Sequence, residues 1–124
     1  MIGRSARERA RVRELERIIE LGVLLPIGRI VHATQSPLRF PPNPEVAAYF
    51  RKMLPEALHL LDTCLSDGRS FVTGERPTIA DCTLAAAFQF ARFGDVAIDP
   101  QFVHVAAWDT RYRDRVPAKA VLTM

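Results

Sequence analysis

Two cysteines and three histidines are the residues that could act as nucleophiles or bind a metal ion. His32, His59 and His104 lie far apart and lack ligand partners at helical spacing, so we expect no metal site. Cys82 is predicted to lie in the first turn of a helix, where a thiolate is favoured. Its neighbours and those of Cys64 are apolar, so we expect two buried, reduced thiols of a cytoplasmic protein. Serine-nucleophile, paired-carboxylate and phosphate-loop patterns are absent as well, so no catalytic residue is predicted.

The densest charge cluster consists of six arginines near the start of the chain: Arg4, Arg7, Arg9, Arg11, Arg13 and Arg17. Such a cluster could bind nucleic acid. Four glutamates interleave with the arginines, and Glu8 lies four residues after Arg4, a spacing that stabilises a helix. The net charge of the whole chain is only +3. We therefore expect a mixed-charge, exposed helix face and no nucleic-acid partner.

Thr78 and Asp81 have the spacing of a helix start. The Thr78 hydroxyl can accept the backbone N–H of Asp81, and the Asp81 carboxylate can accept the N–H of Thr78, which makes a capping box. The helix that follows carries no charge until Arg92. Because a helix that is apolar nearly all round belongs in the middle of a bundle, residues 82–93 are predicted to be its central helix. We expect Thr78 and Asp81 to serve folding rather than ligand binding.

Three further helices are predicted around this central one. The first runs from a capping box at Ser5 to about Ala33, with a kink at Pro26, whose ring would press on the carbonyl of Gly22. The second begins at Asn43, bends at an internal proline and ends before Gly68. The fourth begins at Asp99-Pro100 and ends by Pro117, which could open a last short turn to Leu122. Its inner face is predicted to contain Phe102, Val105, Ala106, Trp108 and Tyr112.

These elements predict an all-α bundle of four to six helices, and 124 residues are the length of one domain, spanning residues 1–124. No segment alternates as a strand would. No stretch reaches the roughly 18 uninterrupted apolar residues of a membrane helix, and the start lacks the apolar core of a signal peptide. We therefore expect no membrane partner.

Residues 71–93 resemble the central helix of the C-terminal domain of glutathione transferases. The shared features are Phe71, the turn at Gly74, and Thr78-Ile79-Ala80-Asp81 opening an alanine-rich helix. A helix with Trp108, followed by Arg115-Val116-Pro117-Ala118, fits the same domain, so the resemblance covers almost the whole chain. It implies a helical domain that forms one wall of a hydrophobic-substrate pocket and much of a dimer contact.

The resemblance also implies that the first helix lines this pocket. The candidate substrate-binding residues are Arg7, Arg11, Val12 and Leu15. An arginine there could attract an anionic substrate or a carboxylate of glutathione through charge-assisted hydrogen bonds. The alternative is that both arginines belong to the solvated face and that both apolar residues belong to the core.

Glutathione transferases bind glutathione mainly on an N-terminal thioredoxin-like domain, whose strand pattern is absent here. We therefore expect no cofactor in this chain, glutathione as co-substrate only if that domain is supplied, and no catalysis by the chain alone. The expected partners are a thioredoxin-like domain or further copies of the chain, together with a hydrophobic small molecule. A non-catalytic protein–protein interaction module of the same fold remains an alternative. Whether the chain is a natural short protein, a fragment or an engineered domain stays open.

Overall fold

The computed structural model describes residues 1–121, and most of them are helical. The helices are α1 (Ala6–Ile19), a π-helical turn (Glu20–Leu24), α2 (Leu25–Thr34), α3 (Pro44–Leu65), α4 (Ile79–Phe93), α5 (Val103–Arg113) and α6 (Val116–Val121). Within this part of the chain the only β-type pairing is an isolated bridge between Phe71 and Gly74. The predicted all-α bundle is therefore confirmed. No helix in residues 1–121 combines the length and the apolar character that crossing a bilayer requires.

The first predicted helix is two helices joined by the π turn. Ser5 and Glu8 form the predicted capping box at its start. The backbone N–H of Leu25 donates to the carbonyl of Glu20, five residues back, so the chain is wound more widely just before Pro26. Pro26 follows at once in α2, and because the backbone stays helical from the π turn into α2, its missing N–H leaves the helix one hydrogen bond short there. A π turn therefore directly precedes Pro26, the position at which the sequence predicts a kink.

The start and the end of the second helix agree with the prediction. The side chain of Asn43 accepts the N–H of Val46 at 3.2 Å, and Pro44 is the first residue of α3. Pro55 lies inside the helix. Gly68 follows the end of α3 with a φ of +89°, a conformation that favours glycine.

The central helix α4 is buried on one side only. It packs on α1, the π turn and α2, and its buried residues include Leu84, Ala87 and Phe88. On its other side Ala86 and Phe93 are exposed, and Phe90 is half-buried. The prediction that this helix is buried nearly all round is therefore wrong, because within residues 1–121 the other helices do not enclose it.

The two cysteine side chains are not buried as predicted. Cys82 lies on the open side of α4 and is exposed, whereas Cys64 in α3 is half-buried. Both thiols are free. An apolar neighbourhood in the sequence did not imply burial, because the side of the helix on which a residue lies decides its exposure.

The fourth predicted helix begins later than expected. Asp99 accepts the N–H of Gln101 at 2.9 Å within a turn, and α5 begins only at Val103. The N–H groups of His104 and Val105 donate to Oδ1 of Asp62 in α3, at 2.8 and 3.0 Å. A carboxylate from another helix therefore takes the place of the predicted local cap.

Most of the predicted inner face of α5 is confirmed: Phe102, Val105, Trp108 and Tyr112 are buried. Ala106 is exposed, contrary to prediction. α5 ends before Pro117, and the predicted last turn is α6. Leu122, given as the end of that turn, lies outside the described residues.

Candidate functional site

A cleft of about 410 Å³ opens where the start of α1 meets the segment that leads into α4. Its walls are formed by Met1, Gly3, Arg4, Glu8, Arg11 and Val12 on one side and by residues 73–78 on the other. The carbonyl of Met1 accepts the N–H of Ile79 at 3.0 Å, so the first residues of the chain lie across the start of α4. This cleft is the candidate functional site.

A tight turn forms the wall opposite α1. The N–H of Phe71 donates to the carbonyl of Gly74 at 2.8 Å, and the N–H of Gly74 donates back to the carbonyl of Phe71 at 3.2 Å. Gly74 has a φ of +149°, which side-chain-bearing residues rarely adopt. The turn therefore depends on glycine at this position.

The carboxylate of Asp81 fixes this wall through hydrogen bonds to backbone N–H groups on both sides of the turn. Its Oδ2 accepts the N–H of Thr78 at 2.9 Å, which confirms the predicted capping box. Its Oδ1 accepts the N–H of Val72 and the Nε1–H of Trp108, both at 2.9 Å. Asp81 is completely buried, so these donors replace its hydration. One carboxylate thus joins the turn, the start of α4 and α5.

The charges of the cleft are mixed, with an excess of positive charge. Three arginines and two glutamates line it: Arg4, Arg11, Arg76, Glu8 and Glu75. Glu8 Oε2 accepts the backbone N–H of Arg4 at 2.7 Å, and this bond, more than any other contact, lowers the pKa of the Glu8 carboxyl. The guanidinium of Arg76 lies 3.5 Å from Oε1 of the same carboxylate. Since the negative charge of Glu8 is already paired with Arg76 and bonded to the Arg4 N–H, the cleft can accept an anionic group.

The structure separates the four predicted substrate-binding residues. Arg11 and Val12 line the cleft, although only 2 % of Val12 is exposed. Arg7 is exposed but lies outside the lining, and Leu15 is fully buried in the core. Arg11 is half-exposed, pairs with Glu14 and has its Nη2 3.9 Å from the Sγ of Cys64.

Several lining residues were not predicted. Arg4 precedes Arg11 by seven residues, and Glu8 precedes Val12 by four. Helical spacing alone could therefore have added Arg4 and Glu8 to the same face. Arg76 and Pro77 lie on the opposite wall, about 65 positions away in the sequence. No local pattern shows which face of a first helix meets a later turn.

The groups that the cleft offers a ligand are charged side chains, two threonine hydroxyls and some apolar surface. Its described lining contains no cysteine, serine, tyrosine or histidine. Within residues 1–121, no three side chains of histidine, cysteine, aspartate or glutamate gather as metal ligands would. The arrangement can hold and orient a ligand that has an apolar part and a negative group.

Comparison with known proteins identifies relatives of this fold. The family described as glutathione S-transferase, C-terminal domain, matches residues 10–113. No curated protein sequence matches the chain. Among solved structures, Gtt2 from Saccharomyces cerevisiae is similar over 98 % of this chain, with a TM-score of 0.84 and 24 % sequence identity.

Two bacterial structures are similar to a comparable extent. A glutathione S-transferase domain-containing protein from Marinobacter aquaeolei VT8 has 27 % identity and a TM-score of 0.82 over 94 % of this chain. A glutathione transferase family member from Pseudomonas fluorescens Pf-5, solved with two glutathione bound, has 20 % identity and a TM-score of 0.82 over 98 % of this chain. The match covers 60 %, 58 % and 55 % of the three relatives, so this chain spans well under two thirds of their length.

Proposed function

The chain belongs to the family of glutathione S-transferase C-terminal domains, and from this premise we propose that it acts as the helical half of a two-domain glutathione transferase. In this role it provides one wall of the pocket for an apolar, electrophilic substrate. A thioredoxin-like domain supplies glutathione and the group that activates its thiol. We further propose that residues 1–124 form one domain that works in the cytoplasm, where free thiols such as those of Cys64 and Cys82 persist.

The observation that carries the proposal is the cleft between α1 and residues 73–78. Its volume of about 410 Å³ lies in the range of ligand sites. Met1 and Pro77 add apolar surface to its lining, while the three arginines outnumber the two glutamates. Glutathione carries a net negative charge at neutral pH, and an electrophile for conjugation is commonly apolar. The cleft matches both requirements.

The contribution of this chain to the reaction is positioning. Arg11, which lies on the cleft with half of its side chain exposed, can pair with a carboxylate of glutathione. The turn held by Asp81 fixes the opposite wall, so that an apolar substrate is confined between rigid surfaces. Because the described lining offers no thiol-activating side chain, that step belongs to the thioredoxin-like domain.

Exposed apolar side chains support an association with such a domain or with a second copy of the chain. Leu21, Leu25 and Phe93 are 52 %, 42 % and 49 % exposed, and Leu38 and Phe40 are more than half exposed. Large exposed apolar patches mark interaction surfaces. We propose that these residues are covered in the working assembly, either by the thioredoxin-like domain or by a second copy of the chain in a homo-oligomer.

The test is a fusion of the thioredoxin-like half of Saccharomyces cerevisiae Gtt2 to residue 1 of this chain. The fusion is assayed with glutathione and an electrophilic aromatic halide. We expect saturable conjugation by the fusion and none by residues 1–124 alone. Arg11→Gln should raise the KM for glutathione, whereas Arg7→Gln, one turn away and outside the cleft, should leave it unchanged.

The proposal would be overturned by a folded fusion that binds glutathione-agarose but conjugates nothing. That result would favour the alternative, a non-catalytic interaction module of the same fold. Equal effects of Arg11→Gln and Arg7→Gln would show that the cleft does not contact glutathione.

A further inference from the structure

A surface pocket lies where α5 passes into α6, and it shares no lining residue with the cleft beside α1. Its volume is about 480 Å³, which is in the range of sites for small molecules. Three cations, one carboxylate and one hydroxyl group line it, on Arg111, Arg113, Lys119, Asp114 and Thr110. The lining therefore has an excess of positive charge.

The net charge of the protein is concentrated in this part of the chain. Residues 110–121 contain four basic residues and one acidic residue, which gives +3, the net charge of the whole chain. All other residues together contain equal numbers of basic and acidic side chains. A local excess of one sign attracts ligands of the opposite charge and raises their local concentration. The distribution of charge therefore favours an anion at the junction of α5 and α6.

Contacts within the protein orient two of the three cations. The Nε–H and Nη2–H groups of Arg111 donate to the carbonyl of Ser70 at 3.4 and 3.3 Å, and Nη2 also lies 3.4 Å from the carbonyl oxygen of Arg69. The Nζ of Lys119 lies 3.1 Å from Oδ1 of Asp114, and both of these side chains are exposed. Because Arg111 is anchored on neutral carbonyl groups, its charge is not cancelled by these contacts.

The ends of the helices account for single cations but not for their meeting in one pocket. Arg111 and Arg113 lie in the last turn of α5, and Lys119 lies in the last turn of α6. The negative end of each helix dipole favours a cation there. This effect acts within each helix, and it does not require cations of two helices to line the same space.

The chemistry of the lining selects the ligand. A planar guanidinium matches two oxygens of a phosphate, and several cations around one space suit a group that carries two negative charges. A volume of about 480 Å³ also leaves room for more than the phosphate group itself. We propose that this pocket binds a phosphate-bearing small molecule whose phosphate contacts Arg111 and Lys119.

The proposal is tested with two probes that share a ring and differ in the anionic group. The full chain is titrated at low salt with phenyl phosphate and with benzoate, while the backbone amide resonances are followed by NMR. We expect phenyl phosphate to shift the signals of residues 110–119 and to bind about tenfold more tightly than benzoate, because the phosphate has the larger charge. Added salt should weaken this binding, since the pocket is open to solvent.

Three variants and a control separate the pocket from the charge of the protein as a whole. Arg111→Gln and Lys119→Gln should each weaken the binding of phenyl phosphate about tenfold, since each removes a charge-assisted hydrogen bond. Asp114→Asn should tighten it roughly threefold, because it removes the one carboxylate of the lining. Arg51→Gln, exposed on α3 and outside the pocket, loses the same charge and should change nothing.

Equal affinities for the two probes would overturn the proposal. So would an equal loss of affinity in Arg51→Gln, because net charge rather than the pocket would then control binding. Binding of homopolymeric RNA or of vesicles that contain phosphatidic acid, without binding of phenyl phosphate, would also overturn it. If Arg111→Gln disturbs the fold through the lost contact with Ser70, Lys119→Gln on the exposed surface still decides whether the pocket is the site.

Discussion

The Nε1–H of Trp108 donates a hydrogen bond of 2.9 Å to Oδ1 of Asp81. The residue that closes the capping box of α4 is therefore also the residue on which α5 is anchored. The same oxygen accepts the N–H of Val72, so the turn that forms a wall of the cleft shares this anchor. A folding signal and a wall of the candidate site thus depend on one carboxylate.

We expect Asp81→Ala to lower the free energy of unfolding by roughly 3–5 kcal/mol, since it removes a cap and leaves two further buried donors unpaired. Asp81→Asn keeps one acceptor oxygen and should cost less. Urea unfolding followed by the fluorescence of Trp108, the only tryptophan, measures both. Asp114→Ala, in an exposed pair with Lys119, is the control and should change stability little. A stability of Asp81→Ala close to that of the parent would contradict the assigned role.

Asp62 is predicted to stabilise the start of α5. Its Oδ1 accepts the N–H groups of His104 and Val105, as an N-cap side chain does. Asp62→Ala should cost about 1–2 kcal/mol in urea unfolding. Asp99→Ala, at the position where the sequence predicts the cap, should cost less, because Asp99 accepts the backbone N–H of Gln101 within a turn outside the helix. A larger loss for Asp99→Ala than for Asp62→Ala would refute this assignment.

Gly22 lies in the π turn and Gly28 lies in α2. Substitution by alanine should have opposite effects on stability at these two positions. A Cβ at Gly22 would lie 2.5 Å from the Cβ of Ala57 in α3, so Gly22→Ala should destabilise the protein by about 1–3 kcal/mol. A Cβ at Gly28 meets nothing within 4 Å, so Gly28→Ala should stabilise it by about 0.5–1 kcal/mol. Thermal unfolding of the two variants compares them directly. Stabilisation by Gly22→Ala would show that α3 does not pack so closely on the π turn.

The stability of the protein should fall between pH 10 and pH 12 through Tyr112. Burial, and then the hydrogen bond with Cys82, raises the pKa of Tyr112 from 10.0 to about 12. The folded state therefore retains this proton while the unfolded chain releases it, so the stabilisation is complete below pH 10 and is lost as the pH rises through 12. Tyr112→Phe should show a shallower decline in urea unfolding over this interval.

Phenolate absorbance provides an independent measurement, because the chain has only two tyrosines. In a Tyr49→Phe background, the remaining titration of the folded protein should have its midpoint near pH 12. A midpoint near pH 10, the ordinary value of tyrosine, would mean that Tyr112 is not held in a buried environment.

The starts of several helices were predictable because the signals are local. Ser5 with Glu8, Asn43 with Pro44, and Thr78 with Asp81 each satisfy the first N–H groups of a helix within a few residues, and all three are present in the structure. Val12, Ile19 and Val23 recur at helical spacing, which places them on one face of a helix by geometry alone, and all three are buried. The all-α class followed from these features, whereas the family followed from the resemblance of residues 71–93 to the central helix of glutathione transferases.

The candidate site was predictable only in part. The resemblance selected Arg11 and Val12, which line the cleft, but also Arg7, which lies outside it, and Leu15, which is buried. The residues of the opposite wall were missed, because the distance between α1 and residues 73–78 is a property of packing rather than of local pattern.

What the amino-acid sequence by itself determined is the helical class, three of the helix starts and the core stripe of the first helix, since these depend on contacts between residues a few positions apart. Only the tertiary structure decided that α4 is open on one side, that Asp62 caps α5, and that Asp81 bonds Val72 and Trp108. Each of these depends on how helices distant in the sequence are placed against one another.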